Sequence, residues 1–140
     1  MPKKKGPARL KSYVVNVINP EDDQIQCFSY ETDNDELPFI TIMNGITFDE
    51  SEKGKKFDAN FISIYNKERD DFDYYVERLV GISVENNEKP EEGKMWVPFI
   101  NNRIENWSYI CENNRIVAKE DQVEWRFIKV HTFNLNGLDA

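Results

Sequence analysis

Residues 67–81, KERDDFDYYVERLVG, decide the fold class that this sequence predicts. Five apolar residues in this stretch recur at the spacing i, i+3, i+4, i+7 and i+8: Phe72, Tyr75, Val76, Leu79 and Val80. Side chains at this spacing lie on one stripe of an α-helix. The sequence therefore predicts one amphipathic helix at about 67–81.

The acidic residues near the start of this predicted helix, Asp70, Asp71 and Asp73, have two interpretations. Carboxylates in the first turn interact favourably with the helix dipole, and Gly81 is a suitable residue to end the helix. The alternative is a metal site, because carboxylate oxygens bind hard cations. The dipole interpretation is favoured, and no metal ligand is predicted.

The segments on both sides of the predicted helix have the composition of strands. The predicted strands before it are 11–19, 24–32, 37–48 and 57–66, and those after it are 95–100, 105–112, 115–119 and 123–134. Within 37–48, the pair Asn44-Gly45 predicts a hairpin turn because both residues accept positive φ. Strands grouped around a single helix predict an α+β fold of mostly antiparallel sheet, either a small barrel or meander sheets.

The charges of the chain are segregated by sign. Five of its 18 basic residues lie in the first eleven residues, which contain no acid: Lys3, Lys4, Lys5, Arg9 and Lys11. Residues 12–140 contain the other 13 basic residues and all 26 acidic ones, so their formal charge is −13. This division predicts a flexible basic arm over 1–11 and a single globular domain over 12–140. The arm fits a nuclear-import signal, a phosphate-contacting segment or a solvated terminus.

The cysteine content and the hydropathy bear on the compartment. Cys27 and Cys111 both lie in strand-like apolar runs, so two buried thiols that act as small hydrophobic residues are predicted. No secretory leader is evident, and the apolar stretches are too short to cross a bilayer. We expect an intracellular protein with no membrane association, located in the cytoplasm, or in the nucleus if the arm is an import signal.

Catalytic motifs are scarce in this sequence. His131 is the single histidine, and there is no nucleophile elbow, zinc motif or phosphate-binding glycine loop. No catalytic residue, cofactor or metal is therefore predicted, and a non-enzymatic function is favoured. A metal-dependent nuclease built from Asp58, Glu124 and Lys129 is a weaker alternative, because many other acid pairs in the chain fit it equally well.

An aromatic and basic pattern lies near the C-terminus. Alternate residues of the predicted strand 123–134 share one face: Val123, Trp125, Phe127, Lys129, His131 and Phe133. Such a face can bind single-stranded nucleic acid, because bases stack on aromatic rings while cations contact phosphates. Under this alternative the binding residues are Lys3, Lys4, Lys5, Arg9, Lys11, Trp96, Arg103, Trp107, Trp125, Phe127, Lys129 and His131. The competing and favoured interpretation is that Trp125 and Phe127 belong to the core.

The acidic body restricts the partners that the protein can attract. The charge of −13 on residues 12–140 opposes general binding to polyanions, so any contact with nucleic acid must be confined to a local patch. Basic proteins are suitable partners for the same surface. The leading prediction is a small non-enzymatic interaction protein that binds a protein partner, of the kind found among viral or phage accessory and inhibitory factors. A single-stranded nucleic-acid-binding protein is the first alternative, and a metal-dependent nuclease is the second. The sequence does not determine the oligomeric state.

Overall fold

The computed structural model describes residues 11–52, 57–104 and 115–129. These residues form ten strands, one α-helix and a 3-10 turn at Pro90–Glu92. In chain order the elements are β1 (Ser12–Ile18), β2 (Ile25–Glu31), β3 (Glu36–Pro38), α1 (Phe39–Glu52), β4 (Asn60–Asn66), β5 (Asp71–Leu79), β6 (Ile82–Ser83), β7 (Lys94–Ile100), β8 (Arg103–Ile104), β9 (Ile116–Ala118) and β10 (Val123–Lys129).

The strands form three sheets. The largest has the order β2-β1-β10-β7-β8, the second pairs β3 with β9, and the third has the order β4-β5-β6. All pairings are antiparallel except that of β1 with β10. The prediction of a sheet-rich, mostly antiparallel α+β fold with one helix is therefore confirmed. The described strands do not close into a barrel, and β10 lies between β1 and β7 instead of continuing a meander.

Helix α1 covers the inner face of the five-stranded sheet. Its buried residues recur at i, i+3, i+4 and i+7: Phe39, Ile42, Met43 and Ile46. Phe39 stacks on Trp125 of β10 with 5.5 Å between the ring centroids. Val15 and Val17 of β1 share this core, opposite Val123 and Trp125 in the sheet register. The core therefore lies between the sheet and the helix.

The predicted hairpin over 37–48 is wrong, because Asn44 and Gly45 lie inside α1. Thr47 Oγ1 donates to the carbonyl oxygen of Met43 at 2.8 Å, the i−4 bond of a helical hydroxyl. Gly45 meets a packing requirement, since a Cβ at this position would lie 2.6 Å from the ring of Tyr30 on β2. A glycine that suggests a turn in the sequence thus allows a helix to approach a strand.

We expect Gly45→Ala to lower the free energy of unfolding by about 1–2 kcal/mol. The clash with Tyr30 costs on the order of 1–3 kcal/mol, and the better helix propensity of alanine returns up to about 1 kcal/mol. In a Tyr30→Ala background the clash is removed, so the same substitution should be neutral or stabilising. Urea unfolding of the four proteins measures both effects. An equal loss in both backgrounds would show that Gly45 is needed for a turn and contradict its place in α1.

The predicted helix at 67–81 is also wrong, because residues 71–79 form β5. This strand pairs antiparallel with β4 from Asn66↔Asp71 to Asn60↔Arg78, with one irregularity between Asn60 and Phe61. Five consecutive residues of β5, from Asp73 to Glu77, are buried, so both of its faces are covered. A helical spacing of apolar residues does not identify a helix in a strand that is buried on two faces.

The predicted strands agree with β1, β2, β4, β7 and β9 to within a few residues, and the described part of the predicted strand 123–134 forms β10. On β2, Phe28 is buried whereas Ile25 and Cys27 are exposed. The prediction that Cys27 is a buried thiol is therefore wrong. Cys111 and the predicted strand 105–112 lie outside the described residues, as do residues 1–10 of the arm. Within the described part of the chain, no helix has the length and apolar character needed to cross a membrane.

Candidate functional site

The two tryptophans of the predicted nucleic-acid platform that the structure describes are in the core. Trp125 has 0% of its surface exposed, and Trp96 has 3%. Trp96 Nε1 donates to the carbonyl oxygen of Ile82 at 2.8 Å, which fixes the indole against β6. A buried ring has no open face on which a base can stack. The prediction of an exposed platform is therefore wrong for Trp96 and Trp125, and the core interpretation of Trp125 is confirmed.

The other predicted members of the platform do not form one surface. Phe127 is half-buried against Trp96, with 4.9 Å between ring centroids. Lys129 is exposed at the end of β10, and Arg103 is exposed on β8. Lys11 is exposed just before β1. The remaining predicted residues lie outside the described part of the chain: Lys3, Lys4, Lys5, Arg9, Trp107 and His131.

The acidic residues considered for a nuclease lie in different parts of the fold. Asp58 precedes β4 and pairs with Arg78 at 3.3 Å, whereas Glu124 lies on β10 and pairs with Arg126. Over residues 11–52, 57–104 and 115–129, no group of three or more His, Cys, Asp or Glu side chains is placed to hold a metal ion. Asp58 and Glu124 are each paired with an arginine and are not brought together.

An exposed aromatic pair lies on the β4–β5 hairpin. Tyr65 and Phe72 are directly opposite each other in the register, 52% and 54% exposed. Their rings meet edge to face with 5.4 Å between centroids. Because side chains alternate along a strand, Phe61 and Ser63 of β4 and Tyr74 of β5 lie on the same face as this pair.

Helix α1 and this face of the hairpin enclose a groove of about 330 Å³. We call it the hairpin groove; its lining residues are Ile40, Asn44, Phe61, Ser63, Phe72, Asp73 and Tyr74. Ile40 and Asn44 are one helical turn apart, and the next residue on that stripe, Phe48, is 68% exposed. Three exposed aromatic side chains, those of Phe48, Tyr65 and Phe72, therefore lie on the two elements that form the groove.

Polar contacts hold the hairpin in shape. Asp73 is 4% exposed, forms an ion pair with Arg69 and accepts a hydrogen bond from Asn66 Nδ2 at 3.0 Å. The Tyr65 hydroxyl donates to Asp70 at 2.5 Å. This hydrogen bond, followed by a smaller desolvation effect, raises the pKa of Tyr65 above its ordinary value. The hairpin loop is therefore tied to both strands by side chains.

A larger cleft of about 480 Å³ lies over the outer face of the five-stranded sheet. Its lining is mostly acidic and amide side chains, including Glu120, Asp121 and Gln122. Its one aromatic residue, Phe99, is half-buried, and the Arg126 guanidinium lies 4.0 Å from its ring centroid. This cleft therefore lacks the exposed aromatic surface of the hairpin groove.

The sequence contained a signal for the hairpin that the helix prediction obscured. Residues 60–66 and 71–77 are both rich in aromatic and β-branched residues, which favour strands, and the polar segment 67–70 between them is short enough for a hairpin loop. Interpreting 67–81 as one helix placed Phe72 on a buried stripe and separated it from Tyr65.

No protein-family model matches this chain, and no curated protein matches its sequence.

Proposed function

We propose that this protein is a non-enzymatic interaction protein that binds a basic partner protein through the hairpin groove. The observation that carries the proposal is the exposed Tyr65–Phe72 pair beside a groove in an acidic chain. Large aromatic side chains gain free energy when they leave water, and they are enriched among the residues that dominate protein interfaces. A cluster of them at the surface is typical of an interaction site.

The charges around the groove support a basic partner. Among the side chains of helix α1 that the structure describes, Asp49 is acidic and none is basic. The segment 60–79 contains three basic residues, Lys67, Arg69 and Arg78, against five acidic ones, Glu68, Asp70, Asp71, Asp73 and Glu77. Both walls are therefore net acidic, which favours association with a cationic segment and disfavours polyanions.

Peptide selection on the full-length protein tests this proposal. A library of displayed random peptides should yield binders rich in Lys and Arg together with apolar residues. Phe72→Ser should weaken their binding about 30-fold or more, since removing an interface aromatic commonly costs about 2 kcal/mol or more. Binding should also weaken as salt rises.

Ile25→Ser is the matched control, because Ile25 is 59% exposed on β2, away from the groove. This change should alter the affinity less than about threefold, as expected for a residue outside the interface. Selected peptides that bind the Phe72→Ser protein as well as the original would contradict the proposal, as would a selection that enriches nothing. The viral or phage accessory role rests on composition alone and stays a prediction.

A further inference from the structure

Strand β4 is an edge strand within the described part of the chain. In the order β4-β5-β6 it pairs with β5 on one side, and no described strand pairs with it on the other. In an antiparallel pair, every second N–H and C=O of such a strand is directed away from its neighbour. The outer edge of β4 therefore presents a row of backbone donors and acceptors next to the hairpin groove.

This edge lacks the features that usually protect an edge strand. Natural edges are protected by charged side chains, prolines or bulges. The sequence of β4, NFISIYN, contains no charge and no proline, and its one irregularity lies at the Asn60/Phe61 end. The six residues from Phe61 to Asn66 therefore form a regular, uncharged template for a further strand.

We propose that the basic partner segment binds as an extended strand added to the outer edge of β4. This inference rests on the function proposed above and specifies how the groove is used. Main-chain hydrogen bonds to β4 supply part of the affinity. Because side chains alternate, every second residue of the added strand lies on the face of Phe61, Ser63 and Tyr65, where the aromatic groove selects apolar side chains.

Charge favours a basic partner segment over the acidic body of a second copy of this chain. The protein has a formal net charge of −8, so two copies repel each other at long range. The segment 60–79, which contains β4 and β5, is also net acidic, with five acidic residues against three basic ones. A cationic strand gains electrostatic attraction at the same edge.

The test uses the full-length protein and an acetylated ten-residue peptide of alternating lysine and valine. Calorimetry at low salt should show saturable binding, and hydrogen exchange should show added protection of β4 amides, with none on β2. An otherwise identical glutamate–valine peptide should not bind. Phe72→Ser should weaken binding of the lysine–valine peptide, whereas Ile25→Ser should not.

Two N-methylated peptides distinguish strand addition from simple docking in the groove. One carries N-methyl groups on its valines, the other on its lysines. Because alternate residues of a strand direct their N–H groups to the same side, one peptide should lose at least about tenfold in affinity while the other binds nearly as before. Equal behaviour of the two peptides overturns strand addition, as does protection located away from β4 or an absence of binding. If basic peptides from the display selection still depend on Phe72 in that case, the proposed function stands and only the mode of binding is wrong.

Discussion

Trp125→Ala is expected to lower the free energy of unfolding by about 3–5 kcal/mol, the usual cost of removing a fully buried tryptophan side chain. The ring has 0% of its surface exposed, stacks on Phe39 and belongs to the core between the five-stranded sheet and α1. Its loss removes the contact that joins the helix to β10. Urea unfolding followed by circular dichroism measures the change.

Lys129→Ala on the same strand is the control, since this side chain is exposed and surface changes usually stay within about 0.5 kcal/mol. Trp125→Phe should retain more stability than Trp125→Ala, because it leaves a smaller cavity. A Trp125→Ala protein that is as stable as the original and has lost affinity for single-stranded oligonucleotides would contradict the core position of this residue. It would restore the exposed-platform prediction.

Asp73→Ala should cost about 2–4 kcal/mol of unfolding free energy. Breaking a buried ion pair typically costs about 3–5 kcal/mol, and the partial exposure of Arg69 reduces that loss. The change also removes the acceptor of the Asn66 side-chain hydrogen bond. Thermal and urea unfolding provide the measurement.

Asp71→Ala is the matched control for this prediction. The Asp71 side chain is 51% exposed, lies 3.9 Å from Arg69 and should contribute less than about 1 kcal/mol. If 67–81 were a helix, both acids would interact with its dipole and both changes would cost similar, small amounts. Equal losses of that kind would contradict the hairpin, whereas a much larger loss for Asp73→Ala supports it.

The sequence predicted most strands correctly because their alternation is local and one face is buried, as on β1 and β2. It failed at 39–52 and at 71–79, where tertiary contacts outweigh local signals. Gly45 matches a turn residue, yet its lack of a side chain serves the approach of α1 to Tyr30. On β5, hydrogen-bond partners of Asp73 and Glu77 allow these acids to be buried on the same face as Tyr75, while Tyr74 and Val76 are buried on the other.

The candidate site was harder to predict than the fold. A period of two shows which residues of β10 share a face, but not whether that face meets the helix or the solvent. Trp125 lies on the inward face, and the stacking partner that identifies this face, Phe39, is 86 positions earlier in the chain. The Tyr65–Phe72 pair depends on the same kind of information, because it exists only when 71–79 is recognised as a strand.

Site-specific photo-crosslinking tests whether a basic partner protein binds at the hairpin groove. p-Benzoylphenylalanine is introduced in place of Phe72 or, as a control, in place of Ile25, and each protein is irradiated in extract of its native host. We expect a crosslink from position 72 alone, mapped by mass spectrometry to a Lys- and Arg-rich segment of a protein and suppressed by excess lysine–valine peptide. Crosslinks of equal yield from both positions would contradict binding at the groove. The same holds if the protein crosslinked to position 72 is acidic at the point of attachment, or if excess peptide does not reduce the yield.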